Sequence, residues 1–307
     1  MAQYDLVIAG SGLAGLTAGL IGARHGLSAL VLEANVPGGH LISVEKIEDF
    51  PGFPDGIAGY DLCPTVQRQA AEYGAEFERA EVQALDPAGQ FWNVVTSEER
   101  HVAKAVVVAT GSTLKSLKVP GEEKLFGRGV SHCASCDGPL YRGNAVGVVG
   151  GGDSALQEAL TLANYADQVH ILNRGERFSA QHCYQERLSG NANIIIRHQT
   201  YVEEILGEDV VTGVRIHDLA AGDSTEMKLS GLFIYVGFQP NTGFLRNIIE
   251  LSDTGHVSTD AWMRTEKPGL YAVGDIRHDT PAQAITSAGE GATAAIAAYR
   301  YIKETFF

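Results

Sequence analysis

The chain has 307 residues, 45% of them hydrophobic and 20% charged, which suits a globular protein of about two domains. Its net charge of −14 argues against nucleic acid or an anionic membrane as the main partner, because phosphate binding needs a basic face. No run approaches the ~20 apolar residues of a membrane-spanning helix, and the start, MAQYDLVIAG, lacks the basic and apolar regions of a signal peptide. Four cysteines, Cys63, Cys133, Cys136 and Cys183, are too few for a disulfide scaffold, so a cytoplasmic location is expected.

In chain order the first unit is YDLVIAG, an apolar run that predicts a buried strand, followed by GSGLAGLTAGLIGARHG, which predicts a helix. SALVLE (Ser28 to Glu33) predicts a second strand. Strand, glycine turn, helix and strand make a βαβ unit on a parallel sheet. KAVVVATG (Lys104 to Gly111) predicts a further strand ending in a glycine turn. The first pattern then returns from Asn144: NAVGVVG, GGDSALQEALTLANYA, QVHILN. Gly10 to Glu33 spans 23 positions, and so does Gly150 to Asn173. GLFIYVG closes this copy, and GLYAVGD and an alanine-rich helix from about Pro281 to Lys303 end the chain. The pattern predicts an α/β protein with two Rossmann-like dinucleotide-binding units.

Gly10-Ser11-Gly12-Leu13-Ala14-Gly15 is GxGxxG between a strand and a helix. The first glycine permits the tight turn, the second lets backbone approach a pyrophosphate, and the third lets helix pack on sheet. Glu33, at the end of the next strand, suits ribose hydroxyls. The second copy, Gly150-Gly151-Gly152-Asp153-Ser154-Ala155, is the GxGxxA variant, with Gly152, Asp153 and Ser154 as candidate phosphate contacts. It carries Asn173 where the first has Glu33. A neutral Asn173 followed by Arg174 and Arg177 leans toward a 2′-phosphate and NADPH, whereas Glu176 between them favours NADH.

Ser131 to Gly138 reads SHCASCDG. Two sulfurs three residues apart can close a small ring where a helical turn starts. A metal site would need two further ligands of suitable spacing, which the isolated Cys63 and Cys183 do not supply, so no metal is expected. A redox dithiol at Cys133 and Cys136 is the reading the residues favour. Two nucleotide folds, one for a flavin and one for a nicotinamide, would give it a path for electrons. In such a path Cys136 would face the flavin and Cys133 would attack an external disulfide. Asp137 would be the proton donor to the leaving thiolate, or else a helix-capping aspartate. His132 would steady a thiolate or be purely structural.

The order and spacing of GSGLAG, GGHLISVEKIEDFPG, VVVATGS, GVSHCASCDGPLYRG, VGVVGGGDSALQEA, GFQPNT and YAVGD…QAITSAGEGATAA resemble the low-molecular-weight thioredoxin reductases over essentially the whole chain. The resemblance implies an FAD-binding domain at residues 1–112 and 243–307, with an NAD(P)H-binding domain carrying the CxxC pair inserted at 113–242. It also implies a homodimer, and a rotation of one domain that offers the dithiol in turn to flavin and to a thioredoxin-like protein. FAD contacts would fall on Ser11 to Ala14 after Gly10, on Glu33 and Ala34, and on Gly39, His40 and Leu41. Others would fall on Asp49, Val82, Ala109, Thr110 and Gly111, and on Gly274, Asp275, Gln283 and Ala284.

The chain departs from the family pattern at His40 (usually Gln), Asp49 (usually Asn) and Ala282 (often Arg). The largest departure lies in the NADPH signatures, where HRRxxxR becomes Asn173-Arg174-Gly175-Glu176-Arg177-Phe178-Ser179 and GHxPNT becomes Gly237-Phe238-Gln239-Pro240-Asn241-Thr242. The leading expectation is a disulfide reductase passing electrons from NADPH or NADH through FAD and the Cys133/Cys136 pair to thioredoxin or a similar small disulfide. The alternatives are a dithiol oxidase with oxygen as acceptor, a ferredoxin-linked reductase and a flavin-binding redox sensor.

Overall fold

The computed structural model describes residues 3–307. The chain divides into two compact units, one made of the residues up to Thr113 together with Gln239–Phe307, the other of Leu114–Phe238.

The N-terminal part of the first unit runs β1 (Gln3–Ala9), α1 (Leu13–Arg24), β2 (Ala29–Leu32), α2 (Gly59–Glu72) and β3 (Glu76–Glu78). It continues through β4 (Val82–Ala88), β5 (Phe91–Thr96) and β6 (Arg100–Val108) to β7 (Ser112–Leu114). β1 lies between β2 and β6, parallel to both, with Leu6 opposite Ala29 on one side and Ala105 on the other. β3 extends the sheet beyond β2, and the C-terminal strand Leu270–Ala272 pairs parallel with β6. The N-terminal half of β6 also pairs antiparallel with β5, and β5 with β4.

Both faces of the parallel strands are covered, which is why they read as continuous apolar runs. Leu6, Ile8, Val31, Ala105 and Val107 face one way, onto α1 and the C-terminal helix (Ala284–Phe306). Val7, Leu30, Leu32, Val106 and Val108 face the other way, onto Leu85, Trp92 and Val94 of the antiparallel strands. Burying each of these larger side chains contributes about 1.5–3 kcal/mol.

The inserted unit repeats the plan. Its elements are α3 (Glu122–Leu125), β8 (Val130–Ser131), α4 (Ala134–Asp137), β9 (Ala145–Val149), α5 (Asp153–Leu162), β10 (Gln168–Leu172), α6 (His182–Ser189) and β11 (Ile194–Arg197). They are followed by β12 (Thr200–Leu206), β13 (Gly213–Asp218), β14 (Asp223–Lys228) and β15 (Gly231–Ile234). The parallel sheet has the order β11-β10-β9-β15-β8, and β12-β13-β14 form a separate antiparallel sheet. Val146, Val148, Val169 and Ile171 pack on Leu156, Ala159 and Leu162 of α5. Val149, Leu172 and Leu232 pack with Val202, Val214 and Ile216 of the antiparallel sheet. One architecture therefore occurs twice, with one copy carried inside the other. The returning chain passes through β16 (Phe238–Pro240) before β17 (Leu270–Ala272) and α7 (Ala284–Phe306). Among the described residues no helix is long and apolar enough to cross a membrane.

Candidate functional site

The first unit holds a cavity of about 930 Å³. Its floor is the turn after β1. Gly10 has φ +102°, and a Cβ there would stand 2.3 Å from the Ala109 carbonyl oxygen, so only glycine fits. Gly12 is the N-cap of α1, and no side chain caps the helix. A Cβ on Gly12 would meet no protein atom within 4 Å and the residue lines the cavity, so free N–H groups at a helix start look onto open space that an anion can fill. At the end of β2, Glu33 is locked in place. Its Oε2 accepts from the Ser11 N–H (2.8 Å) and Oγ (2.7 Å), and its Oε1 accepts from the Asn35 N–H (3.0 Å). Oε2 is thereby filled, and Oε1 keeps one lone pair for a ribose hydroxyl.

The expected contacts gather on this cavity. Gly10, Gly12, Leu13, Ala14, Glu33 and Ala34 line it, as do Gly39, His40, Leu41 and Val82, and Ala109, Thr110, Gly111, Gly274 and Asp275. Ser11 is fully buried and acts through Glu33. Asp275 accepts from the Ser112 hydroxyl at 2.9 Å, and His40 Nε2 meets the Ser112 carbonyl. Three further expected residues, besides Ser11, lie off the lining. Asp49 is exposed on a bend. Gln283 forms the capping box of α7 with Thr286, and Ala284 packs beside Leu13, Ile47 and Leu62.

The GFQPNT block, grouped in sequence with the nicotinamide signature, behaves differently. Asn241 belongs to the first unit and lines the cavity. Its N–H donates to Gly111 O (2.9 Å), its Nδ2 to Thr110 O (3.0 Å), and its own carbonyl accepts from Thr110 Oγ1 (2.8 Å). Two main-chain bonds and one from the side-chain amide thus clamp the turn after β6. Sequence reading missed Asn241 and Phe244 as lining residues, because nothing in the spacing tells on which side of the crossing they fall.

In the inserted unit Gly150 repeats Gly10, with φ +144° and a would-be Cβ 2.3 Å from the Tyr235 carbonyl. Gly152 is the uncapped N-cap of α5. Asp153, the first residue of α5, accepts from Gln181 N–H (2.7 Å) and Nε2 (2.9 Å), while Ser154 follows it in the first turn. Asn173 is 7% exposed and turned into its own loop. Its Nδ2 faces Gly175 O (3.1 Å), Arg177 O (3.1 Å) and His198 Nδ1 (3.0 Å), and its Oδ1 accepts from Gly175 N–H. Arg174 and Arg177 are exposed, and their guanidinium groups have no partner among the described residues.

Cys133 and Cys136 are joined in a disulfide, Cα–Cα 5.3 Å. Cys133 is the N-cap of the short α4, where its Sγ accepts from the Cys136 N–H at 3.2 Å. Cys136 is exposed and Cys133 half-buried. The turn is anchored from beneath, since Ala134 N–H donates to Glu158 Oε2 (3.0 Å), which also receives the Tyr235 hydroxyl (3.4 Å). Burial first, and then the Glu158 charge, hold the Tyr235 phenol far above the usual range. Asp137 is half-buried, close enough for its carboxylate to raise the Tyr141 phenol, after burial. His132 Nδ1–H donates to Ile234 O (2.9 Å) and its ring lies against Phe126, which is the structural role. Sequence reading missed Glu158 and Tyr235, which look like ordinary helix and strand residues. Cys63 is buried, with its thiol pushed up to about 11 by desolvation, and Cys183 is exposed and free. Neither competes as a redox partner.

The pyridine nucleotide-disulphide oxidoreductase family model matches residues 4–291. The chain belongs to that family. Within it the relatives are thioredoxin reductases. The protein of Listeria monocytogenes is 37% identical over 302 residues, covering 98% of this chain and 94% of that one. The protein of Mycolicibacterium smegmatis is 38% identical, covering 98% and 97%. The NADPH-dependent thioredoxin reductase 3 of Arabidopsis thaliana is 38% identical, but this chain spans only 58% of its length. The crystal structure of Lactococcus lactis thioredoxin reductase superposes with a TM-score of 0.96 at 36% identity, covering 98% of this chain and 99% of that one. The chain is thus a flavoprotein disulfide oxidoreductase of the thioredoxin reductase type, a family that uses FAD and NADPH. The glycine cradle, the open start of α1 and the positioned Glu33 fit a dinucleotide such as FAD.

Proposed function

We propose that the protein reduces the disulfide of thioredoxin or a similar small protein with electrons from NADPH. The observation that carries this is the Cys133–Cys136 disulfide on an exposed, anchored turn, in a chain whose other unit holds a dinucleotide-sized cavity. Bound FAD supplies the two-electron relay between nicotinamide and disulfide. Gly10 to Ala14 would seat its pyrophosphate, Glu33 its ribose, and Asp275, held by Ser112, its ribityl region.

The reduced pair then acts by thiol–disulfide exchange. The Cys133 thiolate attacks one sulfur of the substrate disulfide, and the departing thiolate takes a proton from Asp137. Cys136 attacks Cys133 in the mixed disulfide, which frees the second substrate thiol and closes the 133–136 bond again. Gly152 and the start of α5 would hold the NADPH pyrophosphate, with Arg174 and Arg177 pairing with the 2′-phosphate. Asn173 places no charge against that group. The family relationship further supports a homodimer and, together with the free exposed Cys183, a cytoplasmic location. The sequence-based limits of 1–112 with 243–307 and 113–242 are kept as the proposed flavin and nicotinamide domains, except that residues 239–242 go to the flavin domain, since Asn241 lines its cavity.

The test is anaerobic mixing of the FAD-loaded protein with NADPH and, separately, NADH, followed in the flavin visible band. Rapid bleaching by NADPH, slower by NADH, is expected. Failure of both to bleach it would remove the nicotinamide and leave the oxidase or ferredoxin-linked readings. Cys136→Ser should leave bleaching intact and lower disulfide turnover by about a thousandfold or more; turnover near the native rate would overturn the assigned exchange.

A further inference from the structure

Away from the cavity and the cysteine turn, a histidine in the first unit stands buried with nothing to bond. His101, on β6, has a side chain only 1% exposed, and neither Nδ1 nor Nε2 has a hydrogen-bond partner. A neutral imidazole carries one donor and one acceptor, and native interiors leave few such groups unmatched. What faces His101 is carboxylate. Nε2 is 3.5 Å from Glu78 Oε1, beyond a good hydrogen bond, and Glu99 closes a triangle in which one ligand atom from each residue lies within 4.8 Å of the others. Glu78 ends β3 and Glu99 sits in the turn before β6. β3 and β6 are not neighbours in the sheet order, and Glu78 meets Glu99 and His101, which lie two residues apart at the start of β6.

We infer that Glu78, Glu99 and His101 form a binding site for a divalent cation of the zinc type. An imidazole nitrogen with two carboxylate oxygens is a donor set for a borderline metal rather than for calcium or magnesium. Zinc ligands at about 2.0–2.2 Å stand roughly 3.3 Å apart in a tetrahedron, so the gap has to narrow by a short rotation of a side chain. Glu99 is exposed and free to make it, and Glu78 and His101 are already in place. Water would complete the shell on the exposed side of Glu99. The ion would accept the lone pair of a ring nitrogen that otherwise has none to give it to, and it would tie β3 to the β5–β6 turn. Ala80, Glu81, Val82 and Gln83, which follow β3, wall the cavity, so the tie also braces that wall. None of this depends on the reaction proposed above.

The experiment is titration of the FAD-loaded full chain with zinc chloride by calorimetry, after chelator treatment and with no reductant. Cys133 and Cys136 then stay closed as a disulfide, and a Cys183→Ser background removes the exposed thiol. One equivalent should bind. Glu99→Gln, a surface change that leaves the fold intact, should weaken binding about tenfold to a hundredfold, Glu78→Gln similarly, and His101→Ala still more. Zinc should raise the melting temperature of the parent and, at the same concentration, raise that of Glu99→Gln clearly less. Absence of a stoichiometric site, or binding that both glutamine variants leave unchanged, would overturn the assignment and reduce the cluster to a His101–Glu78 ion pair.

Discussion

At the end of its second strand the first unit carries Glu33 and the inserted unit Asn173, and the two side chains meet different partners. Glu33 is held by Ser11 and Asn35 on the wall of a cavity. Asn173 is buried under the loop that follows it. Both positions stand 23 residues beyond the first glycine of their motif, and both first glycines sit at positive φ with a carbonyl where a Cβ would be. The difference is therefore not one of backbone. A carboxylate has only acceptors to offer, so it gathers donors around it and presents charge; an amide has donors, and the carbonyls of residues 175 and 177 take them. Position in the motif predicts where a side chain starts, and its chemistry decides where it ends.

Asn173→Asp should show this most sharply. The new carboxylate would meet two carbonyl oxygens in place of the lost donors, at about 1–3 kcal/mol for each acceptor left unpaired. Urea unfolding should show a loss of about 3 kcal/mol or more, without improved use of NADH. An aspartate variant of native stability with a lower KM for NADH would place residue 173 in the ribose pocket.

Glu33→Gln comes next. The amide keeps one acceptor but turns donors toward Ser11 and Asn35, so about 1.5–3 kcal/mol of charge-assisted bonding is lost. The dissociation constant for FAD should rise about 10- to 100-fold in equilibrium dialysis, and the unliganded protein should lose about 1.5–3 kcal/mol in urea unfolding. Unaltered flavin affinity would show that Glu33 serves the loop, as Asn173 does.

A smaller effect is expected where the second unit meets charge. Arg174→Ala combined with Arg177→Ala should raise the KM for NADPH roughly tenfold and leave that for NADH alone, since only the former carries the 2′-phosphate. Equal effects on both nucleotides would mean that the arginines are solvated bystanders.

The repeat was legible because it is written in backbone terms. Gly10 and Gly150 are demanded by close carbonyls, and the parallel strands are apolar on both faces. The lining of the cavity was legible for the same reason, with most of it on turns between strand and helix. What stayed hidden depends on chain distance. Asn241 reaches back to Thr110 over 131 residues, and Glu158 meets Ala134 on another element. The cluster of Glu78, Glu99 and His101 exists only because one turn folds back, and no ligand spacing announces it. Asn173 was visible, but its inward turn depends on carbonyls that the sequence cannot place.

The two copies differ once more inside their sheets, and here the effect is smallest. Val7 pairs with Leu30 in the first unit, whereas Gly147 pairs with His170 in the inserted one. His170 is 8% exposed and its buried Nδ1 has no partner. Burial, and then Arg197, lower its pKa. The folded state therefore keeps this ring neutral while the unfolded chain takes up a proton near pH 6.5. The unfolded state binds more protons below that pH, so stability should fall as pH drops through about 6.5, and stop falling once the folded protein is protonated too. His170→Leu puts the first copy's residue at this place and should flatten that part of the profile, measured by urea unfolding between about pH 5 and 8 at constant salt. Profiles of equal slope would show that the acid sensitivity of the fold lies elsewhere, and that the histidine is as inert in its sheet as the leucine is in the other.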